Sequence, residues 1–437
     1  MEPIIDKKRA IEENGHQLVV AGPGSGKTWL LIEKIKYLLA QGVPGHQILA
    51  LTFSEKAARE MQDRIDKEGG SHDLTIRTFH SFCYHFLEEE ILDSGISFAK
   101  GMISPEHQMV WGITHFDDFN IQSIEVRNNM VEVVEKIMTG ISSFRDELVT
   151  PEELIAYIDK RISEDISDEE LDYLEKLRDL HSVYSAYQQY KLDHRFIDFD
   201  DMIHLTVETL KKKPLVIRRY QDRFPFILID EFQDTNFAQF ELIRLIGKDN
   251  VFVVGDDDQT IYRFRGAYLT NFEDFKRTYP DTKLYHLTEN YRSSANIVNL
   301  ALDLMNKVPD RERKNLYTNN PEGKKITEAV CDDEYAEAEF ILKTITSLHG
   351  TTYSKNKETD PEKKVQTLEY KDFAILCRKR YHGMKVFEIL RQHNIPCEFR
   401  GDVDFFTKPV ILDLIAWLRI INNPLNAGAS LFRIMRL

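Results

Sequence analysis

Two stretches of this sequence carry residues whose types and spacing could work on a phosphate anhydride. The first is Val19-Val20-Ala21-Gly22-Pro23-Gly24-Ser25-Gly26-Lys27-Thr28. Its glycines let the backbone turn N–H groups toward an anion, and the helix that Lys27-Thr28 would open adds its positive N-terminal end. Gly22, Gly24, Ser25 and Gly26 would form the cradle, Lys27 would reach the β- and γ-phosphates, and the Thr28 hydroxyl would hold Mg²⁺. The strict phosphate-loop pattern wants Gly where Ala21 stands. The second stretch, Phe226-Ile227-Leu228-Ile229-Asp230-Glu231, is an apolar run ending in two acids. Asp230 could complete the Mg²⁺ shell, and Glu231 could polarise a water for in-line attack on the γ-phosphate. A third run, Val251 to Gln259, ends in Asp256-Asp257-Asp258-Gln259. Gln259 could hydrogen-bond the γ-phosphate or the attacking water, although the three aspartates could equally be a turn. Taken singly, a glycine turn can merely cap a helix, and acids after a strand are commonly just solvated.

These groups need elements that bring them together. The first 85 or so residues alternate strand and helix. Strands are expected at Gln17–Ala21, Ile48–Phe53 and Leu74–Phe79. Helices are expected at Trp29 to Leu39, at about Glu55 to Ile65, and from His80. Such alternation implies a parallel sheet with helices on both faces. From about Glu88 to His194 the pattern turns helical and charged, as for an inserted helical subdomain. Short continuous apolar runs at Phe226–Ile229 and Val251–Val254 fit central parallel strands. A third alternating block starts near Lys283 and includes expected strands at Ile326–Cys331 and Phe373–Cys377, and a helix at Glu334–Leu348. Thr351 to Lys364 is polar and expected to be a loop, and Leu412 to Ile421 is strongly helical. Adjacent residues of a strand face opposite ways, so the chain must bend after Ile229 to aim both Asp230 and Glu231 at one ligand.

The 437 residues suffice for two to four domains, and 42% hydrophobic residues supply ample core. The longest apolar runs fall short of a membrane span and the N-terminus lacks a signal-peptide pattern, so an intracellular, cytoplasmic protein with no membrane partner is expected. The four cysteines, Cys83, Cys331, Cys377 and Cys397, include no CxxC pair and are expected to be free thiols. With 57 Lys+Arg against 72 Asp+Glu the net charge is −15. That counts against a protein coating DNA by global charge but not against one that grips nucleic acid in a local groove. Much of the acidity lies in Asp146 to Glu175, which looks like solvated helix faces.

With Asp-Glu-Phe-Gln-Asp-Thr-Asn (Asp230 to Asn236) and Gly-Asp-Asp-Asp-Gln-Thr-Ile-Tyr-Arg-Phe-Arg-Gly-Ala (Gly255 to Ala267), the chain resembles superfamily 1 DNA helicases of the UvrD/Rep/PcrA type. Further matching motifs are Thr52 to Ala58, Thr78 to Phe82, Asp198 to Asp201 and Asn290 to Ser293, in order and in register to at least Asp413. The resemblance implies an α/β fold of two RecA-like motor domains with all-α insertions. The first motor domain would comprise residues 1–87 and 195–278, and its helical insertion 88–194. The leading part of the second would span 279–404, and a truncated second insertion 405–437. ATP would bind between the motor domains, with single-stranded DNA crossing them in the 3′→5′ sense. Arg292 matches an arginine finger from the second motor domain, worth roughly 10³–10⁵ in turnover, and Tyr291 matches the residue that stacks on adenine. Phe53, Phe199, Tyr262 and Phe264 match positions on the DNA path, with His80 and Arg265 as weaker candidates. Base–aromatic stacking at about 1–3 kcal/mol each ignores sequence, which suits a translocating motor on single strands and at single-strand/duplex junctions.

The chain also departs from the family. The glutamine that usually reads adenine is absent near Asp6 to Ile11, where Lys7 stands, and Trp29 replaces a common arginine. An indole there could stack on the base or simply pack in its helix. The late motifs of the second motor domain are not found. The expectation is therefore an N-terminal portion of an ATP- and Mg²⁺-dependent DNA helicase, acting for example in DNA repair, that binds nucleotide but turns it over weakly. The alternatives are a subunit of a RecB/AddA-type helicase–nuclease, a non-catalytic nucleotide- and DNA-binding module, and an ATPase that strips proteins from DNA.

Overall fold

The computed structural model describes residues 2–67, 73–90, 101–119, 121–124, 130–260, 271–308, 314–354, 365–399, 409–422 and 428–435. The chain divides into two compact units, Met1–Pro321 and Glu322–Leu437.

The first unit is organised by a six-stranded sheet built from β1 (Gln17–Ala21), β2 (Ile48–Thr52), β3 (Thr75–Thr78), β4 (Phe226–Ile229), β5 (Asn250–Gly255) and β6 (Lys283–Leu287). The strand order is β3-β2-β4-β5-β1-β6, and every neighbouring pair is parallel. The strand sequences are almost wholly apolar because both faces are covered. Leu18, Val20, Leu49, Leu51, Ile227, Ile229, Val251 and Val253 face one core, shared with the helices Phe79–Glu89, Asp201–Lys212, Pro214–Arg223, Phe237–Ile246 and Asn271–Thr278. The alternate residues Val19, Ala21, Ile48, Ala50, Leu228, Phe252 and Val254 face the other, against the helices Lys27–Ala40 and Glu55–Lys67. Each buried Leu, Ile or Val is worth about 1.5–3 kcal/mol. A one-residue slip in any strand would exchange the two cores, so burial fixes the register.

Between residue 105 and His194 most of the described residues lie in helices, Pro105–Thr114, Met130–Asp146, Pro151–Ile162 and Asp168–His194. They enclose a separate core that includes Trp111, Ile137, Ile158, Tyr184 and Tyr187. A buried ion cluster ties this segment to the chain that returns to the sheet. Lys191 Nζ donates to Asp198 Oδ2 at 2.7 Å and to both oxygens of Asp201 at 2.9 Å, while Arg145 also pairs with Asp201. Asp198 and Asp201 each accept the other's backbone N–H, at 2.7 and 2.9 Å. Two cations and two carboxylates thus balance in a dry site.

Several expectations need correction. Lys283–Leu287, expected to open the second motor domain, is an edge strand of the first sheet, in register with β1 from Gln17↔Lys283 to Ala21↔Leu287. Its alternating Leu284-Tyr285-His286-Leu287 suits an edge, where only one side chain in two is buried. Ile326–Cys331 and Phe373–Cys377 carry no strand assignment. Apolar runs mark the capacity to pair, but a ladder needs a neighbour. Both segments are instead open to solvent, with Val330 and Leu376 94% and 96% exposed. Among its described residues the second unit holds one antiparallel pair, Thr352–Ser354 with Val365–Thr367, so the expected loop begins as a strand. Its core joins helices Glu334–Leu348 and Arg380–Gln392 through Ala338, Ile345, Val386, Ile389 and Leu390. Asp146, expected on a solvated face, is instead half-buried and accepts from Asn236 Nδ2 at 2.6 Å; burial raises it to about 7.

The ion cluster makes a quantitative prediction. Asp201→Ala leaves Arg145 and Lys191 sharing one carboxylate inside the protein, a change that costs about 3–5 kcal/mol. Urea unfolding followed by circular dichroism should show a correspondingly lower midpoint, and a midpoint matching wild type would mean the cluster does not hold the helical segment in place.

Candidate nucleotide site

Parallel strands end at one edge of a sheet, and here β4, β5 and β1 lie side by side. Their following loops therefore converge, in the position where open α/β sheets bind ligands. After β1 the chain makes the glycine turn. Gly24 and Gly26 adopt positive φ, +66° and +94°, conformations that L side chains rarely take. Gly26 is the N-cap of Lys27–Ala40 and provides no side-chain cap. The helix start is left open to an anion, as an N-terminal phosphate site requires. Ser25 is buried and its hydroxyl donates to the Gly22 carbonyl at 2.7 Å, which holds the turn closed. Leu316 seals Gly22 from outside: a Cβ there would fall 2.1 Å from Leu316 Cδ2.

The chemical groups meet over this turn. Lys27 Nζ donates to Glu231 Oε2 at 2.6 Å and lies 3.5 Å from Gln259 Oε1. Thr28 Oγ1 is 3.4 Å from Asp230 Oδ2. The bend required after Ile229 is present: Glu231 sits at φ 50°, ψ 46°, the left-handed region. A non-glycine residue pays about 1–2 kcal/mol to stay there. The reward is that Asp230 and Glu231 both face the phosphate loop. Asp230 is held by its own N–H donating to the Leu51 carbonyl (3.0 Å), and its Oδ1 accepts the Glu231 N–H (3.0 Å).

Electrostatics mark the same place. Burial, then the neighbouring Glu231, raise Asp230 to about 6, although Lys27 pulls the other way. Asp234 is raised to about 6 for the same two reasons. Burial also raises Asp256, against the pull of Lys314. A carboxylate kept out of water beside another acid is short of positive charge. The Thr28 hydroxyl and the Asp230 carboxylate are hard oxygen donors, of the kind that bind Mg²⁺ together with substrate phosphates. The residues present thus fit the metal that the motif implies.

Three participants were given no role in the reading of the sequence. Gln233 is buried and bridges the β4 and β5 loops. Its Nε2 donates to Glu231 Oε2 at 2.9 Å, and its Oε1 accepts the Asp256 N–H at 2.9 Å. Asp256 in turn accepts from Gln259 Nε2 at 2.5 Å and so orients that amide. Lys314 is buried against Asp256, Asp257 and Asp258. Among the described residues those three aspartates are the carboxylate group close enough to share a cation, and the Lys314 ammonium already occupies that role. Gln233 lay within a recognised motif, whereas Lys314 is 58 residues from Asp256 and carries no local signal.

The remaining predicted residues fall in two places. Tyr291 and Arg292 stand beside the phosphate loop and in the same compact unit: Tyr291 N–H donates to the Gly24 carbonyl at 3.0 Å, and Asn290 Nδ2 to the Pro23 carbonyl at 2.7 Å. A Cβ on Gly24 would meet Arg292 Cβ at 2.9 Å. Arg292, expected to reach over from a second motor domain, therefore belongs to the first unit, next to the turn. Trp29 is 48% exposed rather than packed in its helix. Elsewhere along the sheet edge, His80 lies in the first turn of the helix after β3, which Thr78 caps by accepting the Ser81 N–H. Its ring stacks on Phe199 with centroids 3.9 Å apart and planes at 18°. Burial lowers His80 to about 4, so the ring is neutral at neutral pH, while Phe199 is 53% exposed. Phe53 follows β2, the strand that pairs with β3. Tyr262, Phe264 and Arg265 lie outside the described residues.

A parallel sheet with the phosphate loop on β1 and the acids on β4, separated by a strand bearing Gln259, defines a RecA-like α/β motor domain. Residues 5–280 match the UvrD/REP helicase N-terminal domain and residues 285–436 the UvrD-like helicase C-terminal domain; the chain belongs to the UvrD/REP helicase family. The first match ends at residue 280 and the second begins at residue 285, inside β6, although β6 packs in the first sheet. Among similar proteins, the ATP-dependent DNA helicase PcrA of Bacillus subtilis is 34% identical over 418 residues, 94% of this chain and 52% of that protein. The ATP-dependent DNA helicase UvrD1 of Mycobacterium tuberculosis is 33% identical over 454 aligned positions, 98% of this chain and 53% of its own. PcrA of Staphylococcus aureus is 34% identical over 426 residues, 96% and 53%. The chain thus spans about half the length of the curated relatives it matches. No helix among the described residues is long and apolar enough to cross a membrane.

The buried charge on Asp230 has a measurable consequence. An unfolded chain ionises this acid near 3.8, the folded one at about 6. Below pH ~3 it is protonated in both states and costs nothing; the penalty grows as pH rises through the unfolded value toward 6 and is complete above it. Asp230→Asn should therefore raise the melting temperature of the nucleotide-free, metal-free protein above pH ~6, by up to about 3 kcal/mol of stability. The gain should shrink to zero by pH ~3. Thermal melts of both proteins across that range check this, and a difference that ignores pH would contradict it.

Proposed function

We propose that this chain carries the nucleotide-hydrolysing machinery of an ATP-dependent DNA helicase or translocase, acting inside the cell on single-stranded DNA in the 3′→5′ sense. The observation that carries this reading is the meeting of Lys27, Thr28, Asp230, Glu231 and Gln259 at three adjacent strand ends. The names printed for the relatives, ATP-dependent DNA helicases, agree with it.

In the nucleotide-free protein Lys27 and Glu231 neutralise each other. An incoming γ-phosphate brings more negative charge than one carboxylate and draws the Lys27 ammonium to itself. Glu231, whose side chain is 37% exposed, is then free to accept a proton from water. Gln259, held by Asp256, points its carbonyl oxygen into the same space and would orient that water or the γ-phosphate. Mg²⁺, held by Thr28 and Asp230, would supply charge neutralisation on the phosphate oxygens. Arg292 beside the turn is the further cation available to the charge that develops during transfer. The stacked pair His80–Phe199, with Phe53 at the neighbouring strand end, would offer bases a flat apolar platform. Stacking explains how a protein of net charge −15 could hold DNA. Tyr262 and Phe264, single-strand/duplex junctions and a role in DNA repair belong to this proposal through the family resemblance.

Glu231→Gln should keep MgATP binding but lower hydrolysis by about 10²–10⁴-fold, the usual contribution of a general base. Single-turnover assays with protein in excess, with and without single-stranded DNA, read this directly; undiminished hydrolysis would remove Glu231 from the mechanism.

Phe199→Ala should weaken binding of an oligothymidylate by about 1–3 kcal/mol at fixed salt and leave MgATP affinity unchanged. Equal DNA affinity in the two proteins would place the DNA path elsewhere.

A further inference from the structure

Beside the phosphate loop, Gly24, Ser25 and Gly26 form one wall of a cavity of about 690 Å³, a volume typical of small-ligand sites. Its other walls include two open aromatic rings, Trp29 and Tyr291, 48% and 40% exposed. Between them stands Lys7. Its Nζ lies 4.0 Å from the Tyr291 ring centroid and 5.9 Å from that of Trp29, and it donates to Tyr291 Oη at 2.9 Å. Tyr291 Oη donates onward to Glu289 Oε2 at 2.6 Å.

We propose that this cavity takes the purine of a nucleoside triphosphate and that Lys7 contacts the base edge without selecting adenine over guanine, so that GTP is a substrate-class ligand alongside ATP. The inference rests on the nucleotide-binding reading of the phosphate loop and deepens it.

The argument is one of donors and acceptors. Adenine presents an acceptor, N7, next to a donor, the N6 amine; guanine presents two acceptors, N7 and O6. Selecting adenine takes a group that donates and accepts side by side, as a carboxamide does. An ammonium has three donors and no acceptor. Lys7 can therefore satisfy N7 of either purine and also O6 of guanine, but it offers nothing to the adenine amine. The carboxylate in the lining, Glu12, accepts only: it can take one hydrogen bond from the adenine amine or two from the N1–H and amine of guanine, so it does not select adenine either. It also sits 3.7 Å from Lys8 with its side chain about half exposed, where water competes. Tyr37 has a hydroxyl that can turn either way. The nearest glutamine, Gln17, is fully buried in β1, and its amide donates to the Glu13 carbonyl at 3.1 Å. Stacking on Trp29 and Tyr291 is indifferent to which purine is present.

Isothermal titration of the 437-residue chain with MgATP and with MgGTP tests the inference. The expected result is a dissociation constant for MgGTP no more than about tenfold above that for MgATP, a preference for GTP included. Lys7→Gln, which supplies the missing acceptor, should shift the ratio toward ATP by at least about tenfold. A wild-type preference for ATP beyond about tenfold, or a ratio that Lys7→Gln leaves unmoved, overturns the role given to Lys7 while leaving the nucleotide site intact. Binding of neither nucleotide would instead bring down the phosphate-loop reading, and this inference with it.

Discussion

The 2.6 Å contact between Lys27 and Glu231 is the constraint on which the rest of the structure turns. It joins residues 204 positions apart, and it exists only because β1, β5 and β4 run parallel and stop at one edge. That alignment depends in turn on burial. Leu18 and Val20 must face one layer of helices and Val19 and Ala21 the other, so no strand can slide by one residue without exposing its core side chains. The apolar interior thus fixes, to fractions of an ångström, where an ammonium and a carboxylate meet.

Around that contact the protein accumulates negative charge that it does not fully neutralise. Asp230 and Asp234 are both raised to about 6, and Asp256 is raised as well. Lys27 answers one part of the site and Lys314 the other. Gln233 connects them, touching Glu231 on one side and the Asp256 backbone on the other. A site assembled in this way is poised for a ligand that brings both a cation and phosphate oxygens. The left-handed backbone at Glu231 belongs to the same picture: a small local strain is tolerated because it turns two successive acids toward one ligand.

The pair proposed to meet DNA is built differently. His80 is partly buried and neutral, Phe199 is half open, and the two lie flat against each other. What this point of the surface offers is flat, partly exposed aromatic area. The helical segment that ends near His194 is fastened close by, through Lys191, Arg145, Asp198 and Asp201. The sequence Asp198-Phe199-Asp200-Asp201 therefore combines anchor and platform, two of its acids facing inward to the ion cluster and its ring outward.

Much of this was legible in the residues alone. Alternating strand and helix runs located β1 through β5 nearly to the residue, and glycine spacing before Lys27-Thr28 located the phosphate loop, because burial on both faces and a left-handed turn each leave a local mark. The sequence by itself also determined which acids could act, since Asp230 and Glu231 follow an apolar run directly. What only the tertiary structure decided was adjacency. Lys283–Leu287 joined the first sheet, Arg292 came to the phosphate loop's own unit, Lys314 filled the aspartate cluster, and Lys7 took its place between Trp29 and Tyr291. Pairing between distant segments depends on register, crossover path and competing burial across the whole chain, and none of these is encoded in the few residues that finally touch.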